Sequence, residues 1–303
     1  MNDKYFDLKV GFTCTNDCIH CVVADKRFVK DIDINKIKEL IMKNKDYNFI
    51  VTGGEPTINK DILEILHFMK YEAKVSRIIM QTMARPMKDF NFAKEINQYI
   101  DFFLVAIHSY DHIIHDRITK RVGSWEETIA AIYNLERLGA NINSQTVISK
   151  LNMNDLSKTY DFILKDLNIR DANLTFPHAN GNAKTNIKIV MPNYSEIQNE
   201  VTTILKNLND KNTMFIEAIP RCVFNNFDEY LNKNIIFFDD IKDEVIGYDA
   251  SNTNNGEMNY NISIDSDKRK YEFCNQCKYN NVCSGVWKEY HEYYENSGLS
   301  PIK

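Results

Sequence analysis

The sequence predicts an α/β protein in which a parallel sheet wraps into a barrel or partial barrel and is followed by a smaller α+β extension. Three observations carry this. Six apolar, strand-like runs alternate with helical stretches from Tyr5 onward, and parallel neighbours need crossover connections, which are usually helices. Beyond about Pro192 the alternation stops, and short runs and an Asn- and Asp-rich stretch take over. The cysteines divide in the same way, Cys14, Cys18 and Cys21 near the start and Cys222, Cys274, Cys277 and Cys283 near the end. With 303 residues, 44% of them hydrophobic, the chain can bury a full core, and the expected division is residues 1–210 for the barrel and 211–303 for the extension.

Tyr5 to Phe12 reads as a strand leading into the first cysteine loop. Ile34, Ile37, Leu40 and Ile41 recur at helical spacing over Ile34 to Met42, with Asp33 as a cap. The second strand, Phe49 to Val51, ends at Gly53-Gly54, and Ile62, Ile65 and Leu66 place a helix within Ile58 to Phe68. The third strand, Arg77 to Gln81, is followed by a turn around Arg85-Pro86 and a helix near Phe90 to Ile100. The fourth, Phe102 to Ile107, ends at His108-Ser109; Ser124 then opens a helix through Leu138, with Gly139 as its stop signal. The fifth, Ile142 to Ile148, precedes a helix from about Asp155, and the sixth, Asn173 to Phe176, runs into the turn Asn180-Gly181-Asn182. Beyond about Pro192, a helix from Tyr194 to Leu208 precedes strand-like runs at Met214 to Ala218 and Ile235 to Phe238. Asp239 to Asn261 reads as an exposed loop with little core content. The chain closes with an aromatic helix through Trp287, Tyr290, Tyr293 and Tyr294, whose spacing suits packing of the extension onto the barrel.

Cys14-Thr-Asn-Asp-Cys18-Ile-His-Cys21 puts three thiols on one loop, and Thr52-Gly53-Gly54-Glu55-Pro56-Thr57 ends the next strand. Closed zinc and iron–sulfur sites take four protein ligands, so three leave a metal position open. In this order and at this separation the two motifs resemble the radical S-adenosylmethionine (radical SAM) superfamily. The resemblance implies a partial (β/α)6 TIM-like barrel, open on one side, with its chemistry at the carboxyl ends of the strands. It implies that Cys14, Cys18 and Cys21 hold a [4Fe–4S] cluster whose fourth iron takes the amino and carboxylate groups of S-adenosylmethionine, and that reduction then yields a 5′-deoxyadenosyl radical. By the same resemblance His20 packs the adenine, Gln81, Thr82, His108 and Ser109 contact the methionyl and ribose groups, and Val147 and the Gly181 turn reach the adenine. Gly53 and Gly54 suit a strand end where backbone approaches a ligand closely, and Glu55 can accept from the methionyl ammonium. For each polar residue taken singly, a satisfied barrel-rim group is the alternative. His112, His115 and Asp116 span a strand end and a helix start and read as capping groups rather than catalytic ones.

Cys274-Asn-Gln-Cys277 and Cys283, placed after such a core, are similar to the C-terminal extension called SPASM or its shortened twitch form. No cysteine follows Cys283, which favours the twitch form with one auxiliary [4Fe–4S] cluster. Cys222, after Ile219-Pro220-Arg221, stands where the extension supplies its upstream ligand. Two readings stay open for it: the fourth ligand of a closed cluster, or a free catalytic thiol that returns a hydrogen atom to a substrate radical. A structural zinc site is a third reading of the whole group, since zinc also accepts four cysteines.

There is no charged-then-apolar leader and no apolar run of bilayer length, so a cytoplasmic enzyme without membrane insertion is expected. In a reducing compartment clustered cysteines bind metal more often than they pair. A net charge of −5 and a pI near 5.9 argue against a broad nucleic-acid face. The resemblance implies a ribosomally made peptide as substrate, modified by epimerisation, crosslinking or oxidation, and a reductant such as flavodoxin or ferredoxin. The first strand starts by about Tyr5, which leaves no room ahead of it for a leader-binding domain, so a separate peptide-recognition protein or leader-independent binding is expected. A small-molecule substrate, such as an aminosugar to be dehydrogenated or epimerised, is the second reading, and a non-catalytic sensor of redox state or S-adenosylmethionine is the third.

Overall fold

The computed structural model describes residues 3–29, 32–241, 243–249, 257–259, 266–294 and 298–303. Six strands, β1 (Lys4–Lys9), β2 (Asn48–Thr52), β3 (Ile78–Thr82), β4 (Phe102–Ala106), β5 (Ile142–Val147) and β6 (Asp171–Thr175), lie side by side in chain order, every pair parallel. Between them run α1 (Ile34–Lys43), α2 (Ile62–His67), α3 (Phe90–Asn97), α4 (His112–Thr119), α5 (Ser124–Arg137) and α6 (Leu156–Asp161). This is the partial barrel expected from the alternation.

The strand period of two explains which residues face which side. Phe6 and Leu8, Phe49 and Val51, Ile78 and Met80, and Phe103 and Val105 are buried in one core with Ile37, Ile41, Ile65, Ile96 and Leu135 from the helices. The intervening positions, among them Asp7, Lys9, Gln81, Gln145 and Thr175, fall on the opposite, inner face. Helix starts follow their caps: the Asp33 side chain accepts from Asn35 and Lys36 N–H, and Asp89 from Phe92 N–H. Past α5, Gly139 adopts φ +68°, as a stop residue in the left-handed region should.

The sheet continues on both sides of the six strands. After α7 (Tyr194–Asn207), opened by a capping box of Asn193 and Glu196, β7 (Thr213–Glu217) pairs with β6 and β8 (Ile235–Phe237) with β7. The Asp239–Asn261 stretch departs from its reading as an exposed loop. Within it β9 (Glu244–Tyr248) pairs in parallel with β1, and β10 (Glu257–Asn259) runs antiparallel to β9. Asn- and Asp-rich surroundings hid β9, whose own run Glu244-Val-Ile-Gly-Tyr248 is mostly apolar although only Gly247 of it is fully buried. Acids of the stretch act as ties: Asp239 pairs with Lys268, Asp240 with Arg221, Glu244 with Tyr47 and Lys4, and Asp249 with Lys26. Residues 242, 250–256 and 260–261 of that reading lie outside the described residues.

Trp287 also departs from its helical assignment. It sits in β12 (Val286–Trp287), paired antiparallel with β11 (Lys268–Arg269), and the helix α8 begins only at Lys288 and runs to Tyr294. The aromatic stripe does pack the extension onto the barrel. Tyr290 lies 4.4 Å from Tyr194 and 5.7 Å from Phe176 between ring centroids, and Trp287 stacks on His178 at 4.1 Å. Among the described residues no helix is long and apolar enough to cross a membrane.

Candidate active site

Cys14, Cys18 and Cys21 occupy the loop that leaves the carboxyl end of β1, and that loop is held from three directions. From below, Gly54 N–H donates to Gly11 O and Glu55 N–H to Thr13 O, both at 2.9 Å. From α4, Asp17 N–H reaches Thr119 O and Ile19 N–H reaches Ile118 O, again at 2.9 Å. From the turn after β6, Asn182 N–H donates to Cys21 O at 2.8 Å and its side-chain amide to Cys18 O at 3.0 Å. Two arginines hold the three residues between Cys14 and Cys18. Arg85 Nη1 donates to Thr15 Oγ1 at 3.1 Å and Asn16 Oδ1 at 2.5 Å; Arg27 donates to Asn16 O at 2.9 Å and Asp17 Oδ1 at 3.0 Å. Burial pushes the Cys14 thiol up to about 11, opposed by the Asn16 N–H that donates to its sulfur at 3.4 Å. Burial raises Cys18 further, helped by the neighbouring Cys21 and Cys14 thiols. Three sulfurs on one loop suit a metal centre, where metal binding displaces the protons that burial otherwise keeps on Cys14 and Cys18.

The glycines explain how closely the strands approach this loop. A Cβ on Gly53 would lie 2.1 Å from Gly11 O, and one on Gly54 2.2 Å from Thr13 O. On Gly181, at φ +52°, it would lie 2.6 Å from Cys21 O. The close approach expected of Gly53 and Gly54 is therefore made to the backbone of the cysteine loop itself.

Other expected site residues divide into two sets. Glu55 and Thr82, each 4% exposed, are turned inward. Glu55 Oε1 accepts from Thr57 N–H (3.1 Å), Thr57 Oγ1 (2.6 Å) and Thr82 Oγ1 (2.5 Å), and Oε2 accepts from Met83 N–H (2.7 Å). The carboxylate thus staples the ends of β2 and β3, although burial outweighs these donors and raises its pKa. Ser109 is likewise committed, its hydroxyl accepting from Asp111 N–H and its carbonyl from the Trp125 indole.

The second set stays together at the strand ends. His20 meets His108 edge-on at 4.5 Å, and His108 stacks on His115 at 5.6 Å. Val147 N–H donates to His108 Nδ1 at 3.4 Å, and His108 N–H to His115 Nδ1 at 3.2 Å. Burial holds His20 and His115 neutral down to about 4, and His108 well below its ordinary value. His20 Nδ1 is buried and unpartnered. His115 is therefore a core member of this stack rather than a helix cap; Asp111 caps α4, and Asp116 accepts from Gly123 N–H, Ser124 Oγ and Trp125 N–H.

Across the inner face Gln81 donates to Gln145 Oε1 at 2.9 Å, the Gln145 amide lies 3.5 Å from Thr175 Oγ1, and Thr175 donates to Glu217 Oε2 at 3.0 Å. Burial raises the Glu217 carboxyl. Glu217 and Arg85 were not singled out from the sequence. The alternation Thr213, Phe215, Glu217 along β7 could have flagged the first, whereas the second depends on a turn at Ala84, φ +62°, that composition does not reveal.

Cys222, Cys274, Cys277 and Cys283 line one cavity with Tyr271 and Tyr279. Burial pushes the Cys222 thiol up to about 12, and the Cys283, Cys277 and Cys274 thiols add to the rise. Gly285 N–H donates to Cys283 Sγ at 3.4 Å. Among the described residues no group of three or more His, Cys, Asp or Glu side chains is arranged to hold a metal ion directly.

The whole chain resembles solved structures of two proteins. SuiB of Streptococcus suis matches with TM-score 0.62 and 15% identity, over 100% of this chain and 77% of SuiB. The anSMEcpe structure with bound AdoMet and Kp18Cys peptide matches with TM-score 0.65 and 14% identity, over 99% of this chain and 93% of that one. In sequence, the AdoMet-dependent heme synthase of Methanosarcina barkeri (strain Fusaro / DSM 804) is 24% identical over 153 residues, 49% of this chain. The match spans only 43% of that relative's length. The Radical SAM superfamily model matches residues 8–163, from β1 through α6, more than half of the sequence and the whole of the cysteine loop and glycine pair; the chain belongs to the radical SAM superfamily.

Proposed function

We propose that this radical SAM protein matures a ribosomally synthesised peptide, by epimerisation, crosslinking or oxidation, with S-adenosylmethionine and two [4Fe–4S] clusters as cofactors. When bound, the first cluster and S-adenosylmethionine supply one-electron cleavage of the sulfonium and hence a hydrogen-abstracting 5′-deoxyadenosyl radical. Cys14, Cys18 and Cys21 would hold that cluster, and the backbone bonds from Asn182, Gly54 and α4 hold their loop in place. His20, His108 and Val147 are grouped at the strand ends, where an adenine would be packed. Glu55 and Thr82 tie the ends of β2 and β3 together under the loop. Gln81, Gln145, Thr175 and Glu217 form a polar wall on the inner face that would orient substrate.

The observation that carries the peptide reading is likeness over 98–100% of the chain, extension included, to SuiB and to anSMEcpe structures that hold AdoMet, some of them with a peptide. That Cys222 lines one cavity with Cys274, Cys277 and Cys283 supports a four-ligand auxiliary cluster, with Cys222 a ligand rather than a free thiol. Zinc accepts the same four sulfurs, so iron and zinc counts separate the two metals. A small-molecule substrate is the second reading, favoured by the heme-synthase likeness, which leaves about half of the chain unmatched. Anaerobic turnover with reductant and short peptides encoded near this chain decides between them. A mass change in one peptide accompanied by 5′-deoxyadenosine supports maturation; turnover of a small molecule alone contradicts it.

A further inference from the structure

Each of the three residues between Cys14 and Cys18 is bound by an arginine, a lock that the cysteine spacing does not require. We infer that Arg85, acting through Asn16, is a positioning residue that raises the reduction potential of the centre on Cys14, Cys18 and Cys21. This rests on the reading that those cysteines carry a [4Fe–4S] cluster.

Arg85 is 6% exposed and enters from the turn that follows β3. Its Nε is anchored on Glu127 Oε2 at 2.6 Å, which leaves Nη1 to bridge Thr15 Oγ1 and Asn16 Oδ1. Asn16, 4% exposed, has its side chain fixed by Arg85 and its carbonyl fixed by Arg27. The backbone N–H of Asn16 is thereby aimed at Cys14 Sγ at 3.4 Å. Hydrogen bonds to ligand sulfurs stabilise the more negative, reduced form of a cluster and raise its potential. Without Arg85 the Asn16 side chain loses its buried partner, the N–H drifts from the sulfur, and reduction becomes harder.

The test is an EPR-monitored reductive titration of the full chain, reconstituted anaerobically, as wild type, Arg85→Met and Arg85→Lys. The signal followed is the one that changes on adding S-adenosylmethionine, which separates this cluster from a second one. At the wild-type midpoint, Arg85→Met should show a reduced-to-oxidised ratio about tenfold lower, equivalent to about 59 mV for one electron. Lysine keeps the charge but cannot span Glu127 and Asn16 together, so Arg85→Lys should fall between the two. Equal midpoints in all three proteins overturn the inference. If Arg85→Met fails to take up iron, the lysine variant decides alone, and a wild-type midpoint there is equally fatal. A wild type with no S-adenosylmethionine-responsive signal removes the cluster reading first and the inference with it.

Discussion

Thr82 Oγ1 donates to Glu55 Oε1 at 2.5 Å while accepting from Ala84 N–H at 2.8 Å, so one buried hydroxyl joins the ends of β2 and β3 under the cysteine loop. Thr82→Val keeps the shape and removes both bonds. It leaves Ala84 N–H unpaired and takes one donor from Glu55, so a loss of about 1–3 kcal/mol is expected in urea unfolding of the metal-free protein. An unchanged midpoint would mean that the staple is not formed.

Gly54→Ala forces a Cβ to within 2.2–2.6 Å of backbone atoms of Thr13 and Phe12. Backbone cannot swing aside as a side chain can, so the cysteine loop must move. Iron content after reconstitution should fall by about four per chain. Gly139→Ala is the control: nothing lies within 4 Å of its Cβ, and φ +68° alone opposes it. That variant should lose about 1 kcal/mol of stability and none of its iron.

Burial keeps His115 neutral in the folded chain down to about 4, against an ordinary value of 6.5. Neighbouring Asp116 opposes the shift and Arg85 adds to it, with His108 stacked on the ring. Between those two pH values the unfolded chain binds a proton that the native chain refuses, so stability falls as pH drops through the window. His115→Gln removes this term. Urea midpoints of the metal-free variant should therefore decline less between pH 6.5 and 4, by up to about 3 kcal/mol. Parallel decline of the two proteins would contradict neutral burial.

Tyr290 is fully buried against Tyr194 and Phe176, and its hydroxyl accepts from Tyr194 N–H at 3.2 Å. Tyr290→Ala should cost about 3–5 kcal/mol by leaving a cavity between barrel and extension. Tyr290→Phe keeps the ring and should cost less, about 1 kcal/mol for the bond from Tyr194 N–H. Equal effects of the two substitutions would show that the ring does not carry the docking.

The barrel was legible because its strands keep a period of two over apolar runs and its helices announce their ends, as Asp33 and Gly139 do. β9 was not, because a half-buried strand drawn from Asn- and Asp-rich sequence is defined by the open edge of β1 that it meets, which lies some 240 residues away. In the site, Cys14, Cys18, Cys21 and the glycine pair could be found by spacing alone. The direction of Glu55 could not, since four donors from two strand ends decide it. Nor could the place of His115, whose i+7 relation to His108 becomes a stack only when α4 folds back over β4.

The most direct test is anaerobic reconstitution of wild type beside the Cys14→Ala/Cys18→Ala/Cys21→Ala variant, with iron and zinc counted and 5′-deoxyadenosine followed under reductant. The predicted result is about eight irons in wild type, about four in the variant, and 5′-deoxyadenosine from wild type alone. Equal iron in the two proteins, or 5′-deoxyadenosine from the variant, would contradict a radical-generating cluster on that loop.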